Sequence, residues 1–253
     1  MQEEHAQTPP DAAVSPFLTR ATNVFASPGE LYSEVASSPV QTSSWALPYI
    51  ISLVLTVLMT VALFNNQSLR QQLLDTQKQE IQRQVDAGKM PQETADRSIE
   101  LLESTSMVMI LGMITAVLFV TIALFGIPLV LWLVAKFGLK AAINYNKMLE
   151  VYGLATLIGI LGGIVSILLM HVFSSVYATP GGSMFFMSGG FNSHNVLHNI
   201  LASLSVFVIW QAVVAGVGMA KVSGKTTGTG IGVVLGLWFL WVILVSFLGW
   251  GIH

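Results

Sequence analysis

The chain has 253 residues, 53% of them apolar and only 9% charged, whereas a soluble domain carries about a quarter charged residues. Most of it is therefore built to face lipid. A formal net charge of -2 provides no basic field to draw nucleic acid, and the absence of cysteine excludes disulfides, thiolate metal sites and cysteine nucleophiles.

Residues 1–44 read as a cytosolic N-terminal segment. Glu3 and Glu4 are acidic and no apolar stretch of signal-peptide length follows, so the first span is expected to start insertion. Ser27, Pro28 and Glu30 have the form of a helix start: a capping serine, a proline at the first position and an acid three residues after the cap. Leu31 and Val35 would share one face of that short helix, with Phe17, Leu18 and Phe25 nearby. The segment is thus expected to lie in the headgroup region of the inner leaflet. Arg20, its single basic residue, implies only weak attraction to anionic lipid.

Residues 45–253 read as an all-α, five-helix transmembrane bundle. Residues 45–64 are free of charge and span about 30 Å as a helix, the thickness of the hydrocarbon layer. Residues 107–135 form a longer apolar run containing Gly126 and Pro128, expected to tilt or kink. Residues 151–173, 199–220 and 231–252 supply three more spans. The cores of these spans contain no Asp, Glu, Lys or Arg, which counts against a proton-coupled pump.

The long loop, residues 65–106, reads as an exported helical hairpin. Leu69, Leu73, Ile81 and Val85 share a face, Gly88 can end the first helix and Pro91 can start the second. Ala95, Ile99 and Leu102 continue the pattern into the second span.

Orientation follows from Lys and Arg in the short loops. Lys136, Lys140 and Lys147 lie between spans two and three, and Lys221 and Lys225 between spans four and five. The loop of residues 174–198 has no basic residue other than histidine. The N-terminus is therefore expected in the cytoplasm and the C-terminus outside.

No residue pattern specifies a catalytic centre, so the expectation is a protein that is not an enzyme and carries no cofactor. His171, His194, His198 and His253 fall on the side assigned as outer. His194 and His198 stand one turn apart, which would aim two imidazoles the same way and suit zinc or copper. Ordinary interfacial polarity is the plainer reading, with Asn192 or Ser193 capping span four, because no carboxylate in that loop completes a metal shell.

Residues 221–230, KVSGKTTGTG, resemble a phosphate-binding loop, but Met219 stands where the first glycine is required and no strand precedes it. No nucleotide is expected there. Gly159 and Gly163 in span three, and Gly228, Gly232 and Gly236 in span five, have the spacing that lets membrane helices approach closely, within the bundle or between two copies.

Trp45, Tyr49, Trp132, Trp238, Trp241 and Trp250 read as interfacial anchors and packing groups. Trp210 sits mid-span, where an indole N–H needs a partner, and Gln211 is beside it. These two positions mark the place for an internal cavity if the chain conducts a small molecule or lipid.

The succession of NVFASPGELYSEVASSP, IQRQVDAGKMPQETADRSIELLE and LSVFVIWQAVVAGVGMAKVSGKTTGTGIGVVLGLW resembles bacterial members of the Yip family, the Rab- or Ypt-interacting membrane proteins, over about residues 23–250. The resemblance implies five spans, a cytosolic N-terminus and, being to bacterial members, a place in the cell inner (plasma) membrane. In eukaryotes it implies recruitment of small GTPases and membrane shaping in vesicle traffic, while bacterial relatives have no settled biochemical role. Ser205 replaces an acidic residue frequent in the family, and the Tyr-Gly-Pro tripeptide of eukaryotic members is missing around Tyr32, so Rab binding does not transfer.

Together these observations lead to the expectation of a non-enzymatic membrane scaffold or organiser. Its partners would be the lipid bilayer and either a second copy or other membrane proteins. The alternative is a lipid or small-molecule transporter with its cavity near spans three and four.

Overall fold

The computed structural model describes residues 14–247, apart from the side chain of Glu103. Glu3, Glu4, Trp250, His253 and the expected end of span five lie outside the described residues. Among those residues the chain is all-α, with ten α-helices and no strand.

Four helices are long and apolar enough to cross a membrane. They are α3 (Ser43–Asn65), α6 (Thr105–Leu133, prolonged by a π-helical turn over Val134–Gly138), α7 (Tyr145–Phe173) and α10 (Thr227–Phe247). A fifth apolar helix, α9 (Val206–Val222), has 17 residues and reaches only about 25 Å.

The side-chain contacts give their directions. Helices α3 and α7 run parallel: a Cβ on Gly153 would meet Trp45 at one end, and His171 reaches the Ala62 carbonyl at the other. Trp45 packs edge-on against Phe125, Tyr49 hydrogen-bonds Thr121 at 3.0 Å and Phe64 faces Gly112, so α6 runs against α3. Gly162 faces Phe207 while Gly218 faces Val151, so α9 runs against α7. Gly216 and Gly230 bring the backbones of α9 and α10 together.

The expected fourth span, 199–220, is not one helix. It is divided into α8 (Val196–Ser203) and α9, with a break at Leu204 and Ser205. The loop before α8 takes up the backbone groups that the break frees. The Gly182 N–H donates to the Leu204 carbonyl at 2.8 Å, the Val206 N–H donates to the Pro180 carbonyl at 2.9 Å, and Gly181 pairs with Ser205. Irregular backbone near lipid is tolerated where such partners exist. A Cβ on Gly181 would collide with the Leu204 carbonyl, so glycine is needed for this close approach.

The loop hairpin forms as α4 (Gln67–Asp86) and α5 (Gln92–Glu103), with Gly88 in the left-handed conformation at φ 68° and Pro91 as the residue before α5. Helix α5 does not run on into α6, because Ser104 is extended between them.

The N-terminal segment departs most from expectation. It forms two helices, α1 (Phe17–Ala26) and α2 (Pro28–Ser37), joined at Ser27. Pro28 occupies the first turn of α2 as expected, but the Ser27 hydroxyl makes no capping bond. Leu31 and Val35 do share a face. That face, with Val24 and Tyr32, is buried in the core with α7 and α9 residues rather than in headgroups. The bundle's own apolar side chains remove this stripe from water.

Candidate functional site

Where α1 and α2 meet the bundle, the structure gathers four charges, Arg20 and Glu150 buried and Glu34 and Lys147 half-buried. Arg20 on α1 is 1% exposed and Glu150, in the second turn of α7, is 0% exposed. Arg20 Nη1 lies 2.7 Å from Glu150 Oε1, and Nη2 lies 3.0 Å from Glu34 Oε1. Arg20 Nε also donates to Glu34, Nη1 to Ser44 Oγ and Nη2 to Ser38 Oγ. Five bonds leave from Arg20, and a guanidinium has five N–H groups.

Lys147 completes the group. Its ammonium donates to Glu150 Oε2 at 2.8 Å and to the carbonyls of Val35 and Ser38 at 2.9 Å each, using its three donors. Glu150 Oε1 also accepts from the Gln41 N–H. Two cations therefore meet two carboxylates with every N–H donor of the cations used, the condition under which buried charge is tolerated. The four residues come from α1, α2 and the start of α7, and Ser44 adds α3.

The Tyr32 hydroxyl donates to the Val151 carbonyl at 3.0 Å, and its ring lies over Gly218 of α9. Burial, with the Glu150 carboxylate beside it, raises the Tyr32 phenol well above its ordinary range. For Glu34, burial acts to raise the carboxyl, but the Ser15 amide and hydroxyl and the Arg20 guanidinium outweigh it and hold the group below its ordinary value. With every donor matched, this cluster has the chemistry of a fastening between segments.

The weak anionic-lipid role read for Arg20 is therefore corrected: its guanidinium is enclosed by Glu34, Glu150, Ser38 and Ser44. Sequence reading missed Glu150 because the third span was begun one residue later. The available signal was an acid bordering a long apolar run, in a chain whose N-terminal segment holds one basic residue.

The other singled-out residues are dispersed. His194 precedes α8, whose cap is Asn195 and not Asn192 or Ser193, so His194 and His198 do not share a helix face. His194 Nδ1 lies 3.2 Å from Ser193 Oγ, while His198 Nδ1 accepts from the Asn192 N–H and its ring rests 4.8 Å from that of Phe186. His171 places its two ring nitrogens against the Ile167 and Ala62 carbonyls. Among the described residues, no group of three or more His, Cys, Asp or Glu is disposed to hold a metal.

Trp210 packs edge-on against Phe25 of α1 at 5.8 Å and beside Phe207 at 6.2 Å. Gln211 Oε1 lies over Gly159 of α7. Gly163 faces Met59 of α3. Gly228, Gly232 and Gly236 instead face open space, with nothing within 4 Å of an added Cβ.

Compared with known proteins, residues 22–249 match the family model described as the Yip1 domain. No curated protein and no solved structure gives a match.

Proposed function

The chain belongs to the Yip family of membrane proteins, and on that footing we propose that it is a non-enzymatic organiser whose α1–α2 hairpin is a rigid platform for a protein partner. The observation that carries this reading is the buried Arg20–Glu150 pair with Glu34 and Lys147 bonded to it. It holds the hairpin's inner face on the bundle and leaves Glu30, Ser33 and Ser37 exposed on the outer face of α2. A fixed surface binds at a smaller entropic cost than a segment that must order on contact. The platform lies at the bundle's lysine-bearing end, and the positive-inside rule supports a cytoplasmic position for it.

The test is photocrosslinking from Ser33 in native membranes, compared between the wild type and Arg20→Ala. A discrete protein adduct that is lost in the variant is expected. Adducts to lipid alone would overturn the platform.

A second reading rests on its own observation. Gly228, Gly232 and Gly236 are spaced one turn apart on α10, and among the described residues nothing lies within 4 Å of a Cβ added there. A second copy on that face would give the close helix packing that small residues permit. Sedimentation of Gly232→Leu in detergent tests it: dissociation of a dimer supports the reading, and an unchanged mass removes it.

A further inference from the structure

At the lysine-bearing end, Arg20 and Lys147 are each paired with a carboxylate, Glu34 or Glu150, so the four charges balance. Lys136, Lys140, Lys221 and Lys225 remain there, all exposed and none in an ion pair among the described residues. Glu30 is the exposed acid of α1 and α2 at this end. The charge enclosed in the fastening is balanced, and the charge left outside it is positive.

Two of these lysines sit on a specially formed piece of backbone. The π-helical turn Val134–Gly138 ends α6, and Lys140 follows it in the left-handed conformation at φ 55°, which is uncommon for a residue with a side chain. Two carbonyls at the start of this turn have backbone partners: the Leu139 N–H donates to Val134 at 3.0 Å and the Ala141 N–H to Ala135 at 2.9 Å. The Trp132 indole donates to the Ile143 carbonyl at 3.0 Å and so fixes the loop. The Lys136 ammonium stands 4.9 Å from the Trp132 ring, and Phe137 next to it is 69% exposed.

From this arrangement we propose that the Lys136–Lys140 turn is a docking site for the anionic headgroups of phospholipids, with Phe137 in the acyl region beneath them. An exposed aromatic ring beside exposed ammoniums matches the boundary between hydrocarbon and headgroup, where aromatic residues settle and lysine reaches outward. Lys221 and Lys225 add to the field at the same end of the bundle. The proposal does not rest on the platform reading, because the turn lies outside α1 and α2.

The test uses the full-length protein in vesicles of mixed phosphatidylglycerol and phosphatidylcholine, with spin-labelled forms of each lipid reporting enrichment at the protein boundary. The wild type is expected to enrich phosphatidylglycerol. The double variant Lys136→Gln, Lys140→Gln should lose that preference, at about fivefold in association for each lysine. The double variant Lys78→Gln, Lys89→Gln, on the α4 helix and its turn, should keep it.

Sodium chloride should erode the wild-type preference, a readout that needs no variant to fold. Inorganic phosphate should compete no better than chloride at equal ionic strength. Absence of enrichment in the wild type, equal enrichment in both double variants, insensitivity to salt, or displacement specific to phosphate would each overturn the proposal.

Discussion

Arg20 and Glu150 are 130 residues apart in the chain and meet at 2.7 Å with almost no exposure to solvent. Their pairing joins the first helix to the start of α7, so its loss should be felt as instability of the whole assembly. Arg20→Ala leaves Glu150 with Lys147 as its remaining cation, and Glu34 without its guanidinium. The expected cost is about 3–5 kcal/mol, the range for removing one partner of a buried pair. Denaturant unfolding in detergent measures it, with Arg97→Ala as the reference: the Arg97 pair is largely exposed and should contribute under about 1 kcal/mol. Equal losses in the two variants would contradict the fastening.

The same cluster gives a pH dependence. Glu34 is held below its ordinary value of 4.5 in the folded chain, so the native state keeps its carboxylate ionised more readily than the unfolded state does. Its contribution is therefore complete above pH 4.5 and is lost as pH falls through the lower folded value. Acid should loosen α1 and α2 before the spans melt. A Glu34→Gln variant should show a flatter stability profile below pH 5, followed by tryptophan fluorescence or near-UV dichroism.

Close helix approach provides a third expectation. A side chain at Gly218 would collide with Val151 and the Tyr32 ring, whereas Gly232 has open space. Gly218→Val should destabilise the protein by about 1–3 kcal/mol through overpacking, and Gly232→Val should leave the monomer's stability within about 0.5 kcal/mol. Thermal midpoints of the two variants, compared at one detergent concentration, check the contrast.

The break before α9 gives a fourth. Gly181→Ala places a methyl group against the Leu204 carbonyl, which already accepts from Gly182. Pairing of this loop with Ser205 should weaken, and proteolysis between α7 and α8 should accelerate relative to wild type. Gly190→Ala provides a nearby comparison: its φ of 85° is also unfavourable for alanine, but no neighbouring atom meets the added methyl group.

The long apolar helices were legible in the sequence because uncharged runs of membrane length constrain the backbone strongly. Residues 45–64 and 151–173 fall within α3 and α7, and Gly88 ends α4 as its conformational freedom suggested. The break at Leu204 and Ser205 was not legible, since the run 199–220 is apolar throughout and the break's partners lie more than 20 residues earlier at Pro180 and Gly182. Pairing of Arg20 with Glu150 was hidden for the same reason. A lone arginine on a short amphipathic helix looks solvated until the tertiary contact that encloses it is known. The face of α10 carrying Gly228, Gly232 and Gly236 showed its spacing in sequence, but not that it was open.

Amide hydrogen exchange over α1 and α2 in the intact protein tests the fastening most directly. The account predicts protection of residues 20–35 comparable with the first turns of α7 in the wild type, and its loss in Arg20→Ala while α7 and α10 stay protected. Exchange of that segment in the wild type at the rate of an unstructured peptide would contradict a hairpin held on the bundle.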